Sequence, residues 1–284
     1  MQIDGRAIAE GILADLKVRV VELQNKHSIT PHLAVVRVGD DPAITSYVNQ
    51  KEKTAQKIGA QFTKYQYPAT VTEQELLDQL ISLDNNPHIH GLILQLPIPK
   101  HLNQERLLLT IRPEKDVDGF HPHSKFTAPT ASAVYTILEY IFSISEPLQE
   151  KTCIEWLKSQ KIVVIGKGKT AGQPMIDLLA SKNIHTIVID SKTEHREELI
   201  KNADIVISAV GKKDIIKKEM IKPGAILISV GLDKGPDGKF YGDYDNEEVK
   251  DVAGFYTPVP GGVGPVNVAT LMENLVHATE ISLQ

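Results

Sequence analysis

The sequence holds a single cysteine, Cys153, among its 284 residues, so it can form neither an intrachain disulfide nor a thiolate metal cluster. A reducing compartment is the expected setting. Long apolar runs are missing as well. The longest, Ala133 to Ile144, is broken by Glu139 and is too short to span a bilayer. There is no basic excess: 31 Lys and Arg stand against 36 Asp and Glu, a net charge of −5 that offers no stripe for a phosphate backbone. The amino-terminal MQIDGRAIAEG lacks the basic patch and apolar run of a secretory signal. We therefore expect a cytoplasmic protein with neither membrane nor nucleic acid among its partners. No G-x-S-x-G elbow and no H-E-x-x-H helix occur, which argues against serine or zinc hydrolysis. The pairs His88-x-His90 and His121-x-His123 have no third ligand at suitable spacing, so they read as solvated loop histidines and no metal is expected.

What remains is an ordinary globular composition, 42% hydrophobic and 24% charged, long enough for two domains. Near-continuous Val/Ile/Leu runs predict buried strands over 32–38, 91–96, 161–165, 185–189, 203–210 and 225–230. Helical spacing appears over 5–24, 42–58, 72–83, 132–144 and 268–283, and Pro174 suits the first turn of a helix ending near Ala180. Strands alternating with helices predict an α/β fold with parallel sheets. The Gly-, Pro-, His- and Ser-rich stretch Asp118 to Thr130 divides two strand–helix groups, and a second soft stretch runs from Ser145 to Lys151. Two domains follow, 1–121 and 122–284, with a linker helix near 131–145, a closing helix near 268–283 that packs back on the first domain, and a ligand cleft between them.

One turn points to a dinucleotide. After the run Ile162 to Ile165 come Gly166, Lys167, Gly168 and Gly172, then the Pro174 helix. Glycines let a pyrophosphate approach bare backbone while the helix start supplies N–H donors and positive dipole. The spacing, G-x-G-x-x-x-G, is one residue longer than the common fingerprint, and a tight turn without ligand gives the same letters. Asp190, at the end of the next strand, is placed to accept from ribose hydroxyls, which favours NAD, or is a plain turn carboxylate. Lys167, Lys169 and Lys192 would offset the extra phosphate of NADP.

Three further motifs lie outside that unit. Tyr47 and Lys51 are four apart on a helix, so a ring and an amine share a face, although spacing alone favours an exposed surface pair. Leu94-Gln95-Leu96-Pro97 places an amide at the carboxyl end of an apolar strand, where α/β sheets contact ligands. Lys115-Asp-Val-Asp118-Gly-Phe-His-Pro122 reads either as an acidic turn or as a binding loop.

With Pro258-Val-Pro260-Gly261-Gly262-Val-Gly264-Pro265, these strings resemble the bifunctional methylenetetrahydrofolate dehydrogenase/cyclohydrolase family, and the resemblance runs from Ile3-Asp4-Gly5 to the final helix. It implies an N-terminal α/β folate domain and a Rossmann-like dinucleotide domain. Implied with it are NADP as cofactor (NAD if Asp190 meets the ribose), a folate one-carbon substrate, a homodimer, and a place in one-carbon metabolism and purine biosynthesis. By the same resemblance Lys51 is the catalytic lysine, Gln95 its hydrogen-bonding partner, and Tyr47 stacks on the folate ring. Asp118 holds the amino-pyrimidine edge of the pterin. Leu94, Leu96 and the loop Pro260, Gly261, Gly262 and Gly264 contact the folate. Gly166, Lys167, Gly168, Gly172, Asp190, Ser191 and Leu232 line the dinucleotide.

The chain departs from the family pattern at several points. Ile44 stands where a serine is usual, and Ala128-Pro129-Thr130-Ala131 keeps only the threonine of a P-C-T-P string. Lys167-Gly168 replaces Arg-Ser, Ser229 replaces an aspartate, and Asn267 replaces a threonine. The first two bear on the setting of Lys51 and the third on cofactor preference. They keep three rivals in view. One is a relative with weak or absent cyclohydrolase activity, another a non-catalytic folate binder, and the third a two-domain dehydrogenase of another small substrate. Separate assays of the two folate steps discriminate them.

Overall fold

Short Val/Ile/Leu runs become strands in this chain, and the helix-length segments between them carry it across to the next parallel strand. A computed structural model describes residues 1–145, 151–235 and 237–283. In chain order its elements are α1 (Gly5–His27), β1 (His32–Val38), α2 (Pro42–Ile58), β2 (Gln61–Tyr67), α3 (Glu73–Asn85), β3 (Gly91–Leu94), α4 (Gln104–Leu108), α5 (Pro129–Ser145), α6 (Cys153–Ser159) and β4 (Ile162–Ile165). There follow α7 (Gly172–Ser181), β5 (Thr186–Ile189), α8 (Arg196–Lys201), β6 (Ile205–Ser208), β7 (Ile226–Ser229), β8 (Asp233–Lys234), β9 (Phe240–Tyr241), α9 (Asn246–Val249), β10 (Phe255–Tyr256) and α10 (Val263–Ile281). The predicted α/β class holds. One sheet is ordered β2-β1-β3 and a second β10-β7-β6-β4-β5, with every pair parallel, while β8 and β9 form a small antiparallel pair. Among the described residues no helix is long and apolar enough to cross a membrane.

The chain forms two compact units, each drawn from two stretches: Glu10–Pro129 with Val268–Gln284, and Met1–Ala9 with Thr130–Asn267. In the first, β1 and β3 are buried almost throughout and pack through Val36, Val38, Leu92 and Leu94 onto Leu76, Leu80 and Leu83 of α3. Fully burying each such side chain contributes about 1.5–3 kcal/mol. Helix α3 starts at a reciprocal cap, Thr72 with Glu75. Strand β2, Gln-Phe-Thr-Lys-Tyr-Gln-Tyr, escapes the sequence reading. It is a half-exposed edge strand, in register with β1 from His32↔Gln61 to Val38↔Tyr67, so its apolar run is interrupted by polar residues. Strand β3 ends at Leu94 rather than Leu96. Gln95 N–H still reaches Val36 O at 2.8 Å, and Pro97 beyond it has no N–H to continue the ladder.

In the second unit β4, β6 and β7 are wholly buried, and each is shorter than its apolar run because the outer residues enter turns. Pro174 lies in the first turn of α7, as expected. The amino terminus adds to the sheet edge: Ile3 N–H donates to Tyr256 O at 2.9 Å and Tyr256 N–H to Met1 O at 3.0 Å. Helix α5 starts at Pro129, earlier than Ser132, and α10 at Val263, earlier than Val268. Within the soft stretch Ser145 to Lys151, residues 146–150 lie outside the described residues.

Candidate active site

Helix α2 carries Tyr47 and Lys51 one turn apart, and the structure buries the lysine. Lys51 is 5% exposed, which corrects the surface-pair reading that spacing alone favours. Its Nζ donates to Gln95 Oε1 at 2.9 Å. Gln95 sits one residue past β3, and its Nε2 donates to Leu96 O at 2.8 Å. With the amide NH2 committed to a carbonyl, the oxygen is left to face the amine. No described carboxylate pairs with Lys51, so its partner is neutral. Leu94 is buried beneath this corner, while Tyr47 and Leu96 are half-buried beside it.

The acidic string resolves into two roles. Leu92 N–H donates to Lys115 O at 2.8 Å, tying the string to β3. Asp116 is buried and accepts from His121 N–H at 2.7 Å, while Ser124 Oγ donates to its carbonyl at 3.0 Å. Burial pushes its carboxyl pKa up against the pull of those bonds. Gly119 holds φ +72°, where a Cβ would stand 2.7 Å from Ala128 N. Asp116 therefore builds the turn. Asp118 is half-buried, and among the described residues nothing hydrogen-bonds its carboxylate, Lys51 and Gln95 included.

The glycine turn follows β4, which lies between β5 on one side and β6 on the other. The chain thus reverses its direction across the sheet, and the carboxyl ends of β4 and β6 flank a crevice of the kind that takes nucleotides in such sheets. Gly166 has φ +88°, and a Cβ on it would stand 2.9 Å from Ala209 O; one on Gly172 would stand 2.0 Å from Gly166 O. Neither position admits a side chain. Gly168 has nothing within 4 Å. Ala171 makes no side-chain cap on α7; Gln173 N–H donates to Gly168 O at 3.0 Å and Pro174 has no N–H, which leaves the Gly172 N–H at the helix start. Bare backbone at Gly166 and Gly168, next to the start of α7, fits the close approach of a pyrophosphate.

Asp190 is engaged locally. Its Oδ2 lies 2.7 Å from Lys167 Nζ, and its Oδ1 accepts from Lys192 N–H at 2.9 Å. Lys167 foremost, then the Lys192 N–H, pulls its pKa down to about 2. The turn carboxylate is present and, of the three lysines, the side chain of Lys167 pairs with it. Ser191 beside it is exposed, and Leu232 is a large exposed apolar side chain at the end of β7's loop.

In the proline–glycine loop Gly262 is locked: its N–H donates to Pro258 O at 2.8 Å, and a Cβ on Gly5 would meet Gly262 O at 1.9 Å. Pro260 is exposed, Gly261 half-buried at φ +108°, and Gly264 opens the first turn of α10 with free space around it. This loop and the residues around the glycine turn belong to the unit containing β4. Lys51, Gln95, Tyr47, Asp118, Leu94 and Leu96 belong to the unit containing β1.

Two features depart from the sequence reading. His90 is no solvated loop histidine; it is 7% exposed and its Nδ1 faces the N–H of His32 at 3.2 Å. Burial first, then the neighbouring His32, Lys115 and His88, lowers its pKa to about 4. Asp243, one acidic residue among many, is fully buried and bonded to the loop after β6. No spacing signal marks it.

Residues 3–118 match the family model described as tetrahydrofolate dehydrogenase/cyclohydrolase, catalytic domain, and residues 143–283 match that of the NAD(P)-binding domain. The bifunctional protein FolD of Lactococcus lactis is 42% identical over 276 residues, covering 97% of this chain and 96% of the relative. The crystal structure of the bifunctional FolD from Campylobacter jejuni superposes with a TM-score of 0.90 at 33% identity, covering 99% of each chain. That of the Trypanosoma brucei enzyme, complexed with NADP and an inhibitor, gives 0.90 at 30% identity, covering 100% of this chain and 98% of the other. The chain belongs to the tetrahydrofolate dehydrogenase/cyclohydrolase family.

Proposed function

We infer that this chain oxidises 5,10-methylenetetrahydrofolate to the methenyl form and hydrolyses that product to 10-formyltetrahydrofolate. The observation that carries the reading is the buried Lys51 amine held at 2.9 Å by Gln95, a neutral partner. The bound dinucleotide supplies the hydride acceptor of the first step. Hydride loss leaves a cationic methenyl carbon open to water. Lys51 takes a proton from the attacking water and returns one to the folate nitrogen as the ring opens. A carboxylate in the place of Gln95 would clamp the amine in an ion pair, whereas the amide orients it and leaves its remaining directions to the substrate. Asp118, whose carboxylate accepts no hydrogen bond among the described residues, is available to the amino-pyrimidine edge, and Tyr47 supplies a ring surface. Replacing Lys51 by Met should lower methenyl hydrolysis by about 10²–10⁴-fold while the protein stays folded. Retained hydrolysis overturns the assignment.

For the cofactor we favour NADP, as held by the Trypanosoma brucei relative. Lys167 and Lys192 supply positive charge at the turn, and Asp190 already engages Lys167, which lowers its cost to an added phosphate. Calorimetric titration with each dinucleotide tests this; tighter binding of NAD would reject it. The reading assigns folate chemistry to 1–121 and dinucleotide binding to 122–284, and it includes a cytoplasmic homodimer. Sedimentation at a mass of one chain would remove the dimer.

A further inference from the structure

Asp243 is 0% exposed, and its carboxylate accepts two backbone N–H groups, Val210 at 3.2 Å through Oδ2 and Lys212 at 2.9 Å through Oδ1. Between those two donors Gly211 holds φ +69°. Successive N–H groups that converge on one anion around a left-handed residue form a nest, and here the anion is part of the chain. The carboxylate is itself set from behind. Asp243 N–H donates to Ser229 Oγ at 2.9 Å, and a Cβ on Gly231 would stand 2.6 Å from Asp243 Oδ2.

The segment it holds touches both neighbouring loops. Ala209 O and Val210 Cγ2 would be the nearest contacts of a Cβ on Gly166, at 2.9 and 3.4 Å, and Leu232 O that of one on Gly211, at 3.2 Å. Residues 209–212 therefore form one wall of the crevice at the ends of β4 and β6. Val210 is exposed there although it follows a wholly buried strand. A buried carboxylate carries a desolvation cost that an apolar residue filling the same volume would not.

We propose that Asp243 is a positioning residue for the dinucleotide: its carboxylate fixes the Val210–Lys212 backbone as the wall against which the dinucleotide binds, without touching it. This rests on placing the dinucleotide at the ends of β4 and β6. Its neighbour Tyr244 is the natural contrast. That side chain is equally buried but points its hydroxyl elsewhere, to Leu227 O at 3.0 Å and Thr257 O at 2.8 Å.

The test measures dinucleotide Kd by calorimetry, with no turnover, beside methenyl hydrolysis assayed without dinucleotide. Asp243→Asn keeps the shape but turns one acceptor into a donor facing an N–H. The expected result is a rise of about tenfold or more in Kd, with hydrolysis and folate KM unmoved. Tyr244→Phe should lower the melting temperature without that selective rise. An equal rise in both variants means general loosening and overturns the proposal, as does an unchanged Kd in Asp243→Asn. If Asp243→Asn does not fold, Ser229→Ala carries the test, with a smaller rise expected in the same Kd; no rise sinks the idea. Gly168→Asp separates this from its premise, because position 168 has room for a side chain but would carry the wrong charge. If that variant binds dinucleotide normally, the placement itself has failed. If it weakens binding and Asp243→Asn does not, only the role of Asp243 falls.

Discussion

The two units carry their chemistry in different ways. Around β1 the proposed reactive groups are side chains: a buried lysine from α2 donates to an amide just past the end of β3. Around β4 the proposed binding surface is main chain, with Gly166 and Gly172 at positions that admit no side chain and a buried aspartate that holds a loop by its N–H groups. A side-chain site can lose one function and keep its shape. A backbone site changes shape as soon as its residues change. The first should therefore show mutations that affect rate, and the second mutations that affect affinity.

The largest expected effect sharpens that division. Lys51→Met should lower methenyl hydrolysis by about 10²–10⁴-fold while dinucleotide Kd, measured by calorimetry, stays put. Next, Gly172→Ala drives a Cβ onto Gly166 O, an overpacking strain of about 1–3 kcal/mol. Dinucleotide affinity should fall about tenfold or more, with hydrolysis in its absence preserved. Altered dinucleotide affinity in the first variant, or lost hydrolysis in the second, would break the comparison.

His90 distinguishes the units by pH. Its folded pKa, about 4 against 6.5 for a free histidine, means that protonation opposes folding. Stability from this group is complete above pH 6.5 and is lost as pH falls toward 4, by about 2 kcal/mol once solvent screening is allowed for. Denaturation midpoints across that range should slope in the native chain and flatten in His90→Leu. An unchanged slope would assign the acid sensitivity elsewhere. The smallest effect treats the units alike. Thr72 and Thr152 carry the same reciprocal cap, on Glu75 and Glu155, one in each unit. Alanine at either should cost about 1 kcal/mol by thermal denaturation, and a large inequality would show that one helix start matters more.

This contrast also explains what could be read from the sequence. Buried parallel strands such as β4 and β6 announce themselves as Val/Ile runs, and Gly166 and Gly172 mark a turn that tolerates nothing else. The half-exposed β2 gives no such run. Lys51 and Gln95 lie 44 positions apart, and only the long shared strings, not their spacing, suggested that they meet. Burial separates Asp116 from Asp118, two identical letters in one motif. Asp243 is silent in sequence because its role depends on what three distant loops do around it. Ion pairing is similarly hidden: in the sequence Lys167 and Asp190 favour opposite cofactors, and in the fold they bind each other.

Each unit is stitched from two separated stretches, and this has a consequence for synthesis. The unit around β1 has most of its residues early in the chain, yet its core includes Leu271, Met272, Leu275 and Val276 of α10, and Asn274 Nδ2 donates to Val117 O and Thr127 O at 2.9 Å. During synthesis, residues 10–129 should therefore complete their unit only after α10 has joined them. Nascent chains stalled before residue 268 should remain sensitive to protease within 10–129, and supplying the terminal helix as a separate peptide should restore resistance.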